Sequence, residues 1–272
     1  MLFGHTKRWE MEIMDDISQK GLVRSVSRAV KILMLFKEHD ELGIANISQM
    51  LGIPKGTVHA LVKTLAQHDF LEKNESTQKY RCGLEAFRLG MSFAMRMDLR
   101  RIAAAELESL CYRADETVHM AVLVNGMCVN VDRFSPNKPF LLIPQSGSAI
   151  PAHCTATGKV LLSQLSEDQL NAVIERCGLV KYTDYTVDNI DTLKKHIDQI
   201  RKDGYAISDQ EAVIGLTCIA VPIRDHSGSI VAAISIAGDT QSITNNNKQH
   251  EYIEMISESA EKISSYLGYN SK

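Results

Sequence analysis

The chain has 272 residues, of which 44% are hydrophobic and 23% charged, and its formal net charge is −3. That length accommodates two domains at roughly 100–200 residues each, and the composition is that of an ordinary globular chain, neither membrane-spanning nor low in complexity. The charge is uneven: residues 1–82 carry 12 Lys+Arg against 10 Asp+Glu, and residues 114–272 carry 13 against 19, which points to two parts with different partners.

Residues 1–20 read as a flexible tail. Met1–Asp16 has no apolar run of the kind a secretory signal needs. Apolar stretches such as Cys218 to Pro222 fall far short of the roughly 20 residues that cross a bilayer. Cys82, Cys111, Cys128, Cys154, Cys177 and Cys218 are scattered, without a Cys-x-x-Cys spacing. Such thiols suit a reducing cytoplasm and argue against a metal site or a disulfide framework.

In chain order, Ser25–His39 is apolar at Val26, Ala29, Val30, Leu33 and Phe36. That spacing predicts a helix, capped by Ser25 or Ser27. A short Leu42–Ile44 piece precedes a second helix, Asn46–Leu51, which Gly52 stops. Pro54 opens a third helix running to about His68. Val58, Leu61, Val62 and Leu65 give this helix one buried stripe. Phe70–Lys73 and Lys79–Cys82 read as strands joined by a polar turn, Asn74 to Thr77. Gly83–Met97 is helical, and a further helix runs from Asp98 to Ala114.

The rear half alternates strands and helices. Thr117–Val124 and Met127–Phe134 flank Asn125-Gly126, a hairpin signal because both residues accept positive φ. Lys138–Pro144 reads as a third strand. Helices are expected at Thr155–Leu165, at Ser166–Cys177 (with Ser166 and Gln169 as a capping box) and at Asp188–Lys202. Strands Tyr205–Asp209, Leu216–Arg224 and Ser229–Ala237 precede a long helix, Asn245–Leu267, ending at Gly268. The fold class is α+β, with about six strands and helices outside.

Helix, short helix, glycine turn, helix and β-hairpin is the order of a winged helix-turn-helix. The outer face of the third helix would present Lys55, Gly56, Thr57, His59, Ala60, Lys63 and Thr64. No acid lies between Pro54 and His68, so nothing there would repel phosphates. Lys55, Thr57 and Lys63 suit phosphate and base-edge contacts. Lys73, Lys79 and Arg81 on the hairpin and Arg24 and Arg28 at the first helix would add backbone contacts. The competing reading is a small helical packing module with a solvated basic face. A dimer would double every contact and make the modest positive charge sufficient.

The segments Arg24 to Leu33, Leu51-Gly52-Ile53-Pro54-Lys55-Gly56-Thr57-Val58-His59 and Lys79-Tyr80-Arg81-Cys82-Gly83 resemble the IclR family of bacterial transcriptional regulators. So do Gly158-Lys159 after His153, Asp209-Gln210-Glu211, Gly215, Cys218 to Ile223 and Ala233 to Gly238. The resemblance covers roughly residues 21–269. It implies a winged helix-turn-helix over 21–82, a linker helix over 83–98 and a GAF-like effector-binding and oligomerisation domain over 99–269. It further implies a cytoplasmic dimer or tetramer that binds double-stranded operator DNA, most simply as a repressor of a catabolic or transport operon. Arg28, Lys55, Gly56, Thr57, His59, Lys63, Lys79 and Arg81 would contact DNA. Gly56 stands where the family usually has Ser, and Ala60 where it often has Arg, which would shift base preference.

By the same resemblance, Ala156, Thr157, Asp209, Leu216, Cys218 and Ser235 would line the effector site. Amides at the start of the helix at Ala156–Thr157, with the Ser235 hydroxyl and Cys218 thiol, suit a small carboxylate such as a sugar, hydroxy or keto acid. Plainer readings stand beside this one. Cys218 fits an apolar core strand, Ser235 a bond to a neighbouring strand, and Asp209 and Glu211 a solvated strand end. His153 and Cys154 invite a metal or nucleophile reading, but neighbours in a strand face opposite ways. The alternative function is a cysteine-dependent small-molecule enzyme using Cys154 or Cys218 with His153 or His119. No nucleophile elbow, dinucleotide glycine triplet or zinc-protease motif is present, and Gly158-Lys159 fails the phosphate-loop pattern at two positions. No cofactor and no metal are expected.

Overall fold

A computed structural model describes residues 22–96, 98–136 and 146–270. The tail over 1–20 and the strand expected at Lys138–Pro144 lie outside these residues. The chain divides into two compact units, with the division between Asp98 and Leu99.

The first unit is built from α1 (Arg24–Leu35), α2 (Ile44–Leu51), α3 (Lys55–Gln67), β1 (Leu71–Lys73), β2 (Tyr80–Cys82) and α4 (Leu84–Arg96). Gly52 ends α2 at φ 63, in the left-handed region, and its amide bonds back to the Ser48 carbonyl. Pro54 then sets the entry to α3. β1 and β2 pair antiparallel, and Leu42 bridges Tyr80 to extend the little sheet by one rung. Glu41 accepts from Asn74 Nδ2 at 2.5 Å and Thr77 Oγ1 at 3.0 Å, which fastens the hairpin turn to the loop after α1. The core is Ile32, Leu35, Leu42, Ile47, Ile53, Val58, Val62 and Leu71. Each such side chain contributes about 1.5–3 kcal/mol by leaving water.

Here α1 differs from the sequence reading. Its buried residues are Ile32 and Leu35, whereas Val23, Val26, Val30 and Met34 stand exposed. The helix carries apolar residues on two faces, and spacing alone could not tell which one faces the core. Neither Ser25 nor Ser27 caps it. The cap position is Val23, without a side-chain bond.

The second unit begins with α5 (Asp98–Ala114) and continues through β3 (Thr117–Val124), β4 (Met127–Phe134), β5 (Ala149–Pro151) and a 3-10 turn, Ala152–Cys154. It goes on through α6 (Ala156–Leu162), α7 (Glu167–Cys177), α8 (Ile190–Asp203), β6 (Ala206–Asp209), β7 (Leu216–Arg224), β8 (Ile230–Asp239), α9 (Thr240–Ile243) and α10 (Asn246–Tyr266). Asn125 and Gly126 take φ 53 and 84 at the β3–β4 turn, the positive values that this hairpin type needs. Ser166 and Gln169 cap α7 reciprocally at 3.3 and 3.0 Å. His153 and Cys154 sit in the 3-10 turn rather than in a strand. β5 is a three-residue strand that the sequence did not announce.

Among the described residues of this unit, β3 to β8 form one antiparallel six-stranded sheet in the order β5-β4-β3-β8-β7-β6. Its two faces have different chemistry. Val118 and Met120 of β3, Ile219, Val221 and Ile223 of β7, and Ala232, Ile234 and Ile236 of β8 pack under α5 and α10. On the other face, Ala121, Cys128, Ala206, Ala220 and Ala233 lie in the cluster formed with α6, α7 and α8. Alanines there let a helix approach the sheet closely. Gly158 of α6 has the same purpose, because a Cβ would strike the Ala152 backbone.

Candidate functional site

In the first unit, α3 buries Val58 and Val62 completely. Lys55, Gly56, His59, Ala60, Lys63 and Thr64 are thereby turned to solvent, while Thr57 is half-buried at the shoulder of the helix. This outer face carries Lys55 and Lys63 and no acid. Lys79 is exposed on the hairpin. Arg81 is exposed too, but it bonds Glu72 directly across the β1–β2 pair. An exposed pair of this kind is worth at most about 1 kcal/mol, so a phosphate can take Glu72's place. Arg28 lies one turn before the buried Ile32 and is half-buried, at the edge of the inner stripe of α1. The structure thus groups Lys55, Gly56, His59 and Lys63 on one surface and leaves Arg28 apart from their helix.

In the second unit, strand alternation sorts the expected effector residues. Ser235 lies between Ile234 and Ile236, both in the core under α5 and α10, and so belongs to the α6 face with Ala233. Cys218 is on that face one strand away, packed with Leu216, Ala237 and Val213. Thr157 of α6 comes down to the same face, with its Oγ1 3.2 Å from Cys128 Sγ. Ala156 is fully buried in the cluster beneath α6. Asp209 is not brought to this face. It accepts from Thr217 Oγ1 at 2.6 Å, and Thr217 also bonds Thr240, which places it with Ile207 on the α10 side. Its neighbour Ser208, directly opposite Cys218 in register, occupies the α6 face instead.

Other groups on this face had no effector role in the sequence reading, where His119 figured only as a partner for a cysteine nucleophile, Lys159 in a family motif and Glu211 as a strand end. His119 is 6% exposed and pairs in register with Ser235 on β8 and with Arg133 on β4. Asn130 is buried and donates to Ser148 Oγ at 3.1 Å. Lys159, 1% exposed, donates to the Ile207 carbonyl at 3.1 Å and to Glu211 Oε1 at 2.5 Å. Burial pushes the Glu211 carboxyl upward against the pull of Lys159. Among the described residues, two buried side-chain atoms lack a hydrogen-bond partner, His119 Nε2 and Glu211 Oε2. Each such atom costs about 1–3 kcal/mol. The alternation that singles out Ser235 between two isoleucines also singles out His119 between Val118 and Met120, and that was the legible signal.

The thiols are poor nucleophiles. Burial pushes Cys218 up to about 12 and raises Cys128 and Cys154 as well, so they stay protonated at neutral pH. Cys154 donates to the Pro151 carbonyl at 3.2 Å, while His153 Nε2 meets the Val180 carbonyl at 3.0 Å. The two are committed to different partners and form no catalytic pair.

Comparison with known proteins finds relatives of both units. Residues 91–265 match the bacterial transcriptional regulator IclR C-terminal family, and residues 25–75 match the IclR helix-turn-helix domain. The chain is 31% identical over 249 residues to the HTH-type transcriptional regulator XynR of Escherichia coli (strain K12), covering 91% of this chain and 98% of that one. It is 31% identical over 255 residues to the HTH-type transcriptional repressor AllR of the same organism, covering 93% of each. The crystal structure of the Thermotoga maritima IclR superposes with a TM-score of 0.73 at 28% identity, over 90% of this chain and 99% of that chain.

Proposed function

Because the chain belongs to the IclR family of bacterial transcriptional regulators and is a DNA-binding regulator rather than an enzyme, we propose that it is a cytoplasmic repressor released or recruited by a small organic acid. The observation that carries the DNA half is the acid-free outer face of α3, with Lys55, His59 and Lys63 exposed together. Lys55 and Lys63 neutralise phosphates, and His59 with Gly56 meets base edges in the major groove. Lys79 and Arg81 on the hairpin hold the flanking backbone. Arg28 acts from the edge of α1.

The acid is held on the α6 face of the sheet, between Thr157, Leu216, Cys218 and Ser235, with Ser208 in the place expected for Asp209. AllR, a relative at 31% identity, is named as a repressor, which supports the sign of control. The protein acts as a homodimer or a pair of dimers. The exposed apolar residues Val23, Val26, Val30 and Met34 on α1 are the surface through which two copies join. Effector binding changes the spacing of the paired α3 helices, which must match half-sites about one helical turn apart or a multiple of it.

The test is operator affinity as a function of salt, using a fragment selected from random duplexes. Lys55→Ala and Lys63→Ala should each weaken binding on every sequence and reduce the slope of log K against log salt by about 1. Unchanged affinity and slope in both variants would remove α3 as the reading helix.

A further inference from the structure

We propose that His119 selects the ligand of the second unit, its Nε2 hydrogen-bonding a hydroxyl or carbonyl oxygen of an organic acid whose carboxylate is drawn by Arg133. The proposal rests on reading the α6 face of the sheet as the effector site. It adds the residue that discriminates among acids and the ligand oxygen that this residue reads.

The first ground is the orphaned nitrogen. Buried polar atoms in native proteins are paired almost without exception, and one left unpaired calls for a partner from outside the chain. Among the described residues, His119 Nε2 is buried without a partner. Thr117, the polar residue one pleat before it on the same face, donates to Ser135 Oγ at 3.3 Å, and Asn130 donates to Ser148 Oγ at 3.1 Å, whereas His119 Nε2 is left over.

The second ground is placement. His119 lies one pleat beyond Ala121, the β3 residue packed in the cluster with α6. It has the Ser235 hydroxyl beside it on β8 and Arg133 beside it on β4. Directly opposite residues on neighbouring antiparallel strands share a face and sit about 4.5–5.5 Å apart. A single small molecule therefore spans all three.

The third ground is charge. The β3, β4 and β8 residues on this face around His119 are Thr117, Ala121, Asn130, Arg133, Ala233, Ser235 and Ala237, with no acid among them. The nearest strand acid, Asp132, faces the other way and pairs with Arg100 of α5 at 3.0 Å. The Arg133 guanidinium donates through Nε to the neutral Ser135 Oγ at 2.9 Å, and its positive charge favours an anionic ligand. Burial and the Arg133 charge hold His119 down at about 3, so its imidazole is neutral in the cell. It reads an oxygen by hydrogen bonding and adds no charge of its own. Charge selection and oxygen selection are thereby divided between two residues on adjacent strands.

Isothermal titration of the full-length protein with matched pairs of acids tests this. The pairs are 2-oxoglutarate with glutarate, lactate with propionate, and 4-hydroxybenzoate with benzoate. For at least one pair the oxygenated acid should bind about tenfold or more tightly than its partner, the usual discrimination of a site built around a hydrogen bond. His119→Phe should bring the two members within about twofold. His119→Gln, which keeps a donor and an acceptor and serves as the folding control, should retain part of the preference. Ser235→Leu should remove binding of both members.

A preference that survives in His119→Phe, with binding lost in Ser235→Leu, would overturn the role of His119 while leaving the site in place. Full binding in Ser235→Leu would overturn the site and this proposal together. No binding or no preference by the unaltered protein across the three pairs would overturn the ligand class.

Discussion

Lys159 and Glu211 show how far the meaning of a residue depends on its surroundings. In the sequence, Gly158-Lys159 brings a phosphate loop to mind, and Glu211 reads as a solvated strand end. In the fold, Gly158 is there because a Cβ would meet the Ala152 backbone, and Lys159 points into the core to Glu211 and the Ile207 carbonyl. The pair is buried, so removing one partner strands the other charge. Lys159→Met should cost about 3–5 kcal/mol in urea unfolding, and adding Glu211→Leu should recover most of it. A Lys159→Met loss below about 1 kcal/mol, the value of an exposed pair, would show that the pair is solvated.

Among elements, α1 and β6 are the instructive cases. Hydrophobic spacing marks α1 as a helix, but both of its apolar stripes satisfy that spacing, and only the packing of Ile32 and Leu35 against Ile47, Val58 and Val62 decides which is core. The leftover stripe, Val23, Val26, Val30 and Met34, is the proposed subunit contact. Val26→Lys with Val30→Lys should leave the chain folded, because neither residue belongs to its own core, while the loss of association makes unfolding independent of protein concentration. It should also move the sedimentation coefficient toward that of a monomer; an unchanged coefficient would place the contact elsewhere. In β6, Asp209 and Ser208 exchange roles because a strand turns successive side chains to opposite faces. The sequence locates the strand, but whether its odd or even residues face α6 depends on Ile207 packing against the α5–α10 core. The β3–β4 hairpin, by contrast, was fully legible, since Asn125-Gly126 carries its turn geometry within two residues.

For the molecule as a whole, acid should be destabilising in a defined window. His119 is held at about 3, and burial also lowers His153. An unfolded histidine takes up a proton near pH 6.5. Between that value and the lower folded values the unfolded chain binds more protons, so stability is complete above about pH 6.5 and is lost as pH falls below it. Each fully neutral buried histidine contributes at most about 1.4 kcal/mol per pH unit in that window. The melting temperature should therefore fall steadily from pH 6.5 toward 4.5, and His119→Gln should flatten the slope. An identical slope in the variant would mean that His119 is protonated in the folded protein. The charge asymmetry also acts at this scale. The acidic rear half repels DNA and anions alike, so attraction for an organic acid has to be local, from Arg133 and the hydroxyls around it.

By itself the sequence determined the order of the elements apart from β5 and α9, the basic outer face of α3 and the family. These depend on periodicity, turn chemistry and short motifs, all of which are local along the chain. Only the tertiary structure decided which stripe of α1 is buried, that Ser208 rather than Asp209 shares a face with Cys218 and Ser235, and that His119 Nε2 finds no partner among the described residues. Those facts depend on which side of a helix or sheet finds a core to pack against, and that is set by contacts between different elements, near in the chain where Ile32 of α1 packs with Val62 of α3 and far apart where His119 on β3 meets Ser235 on β8.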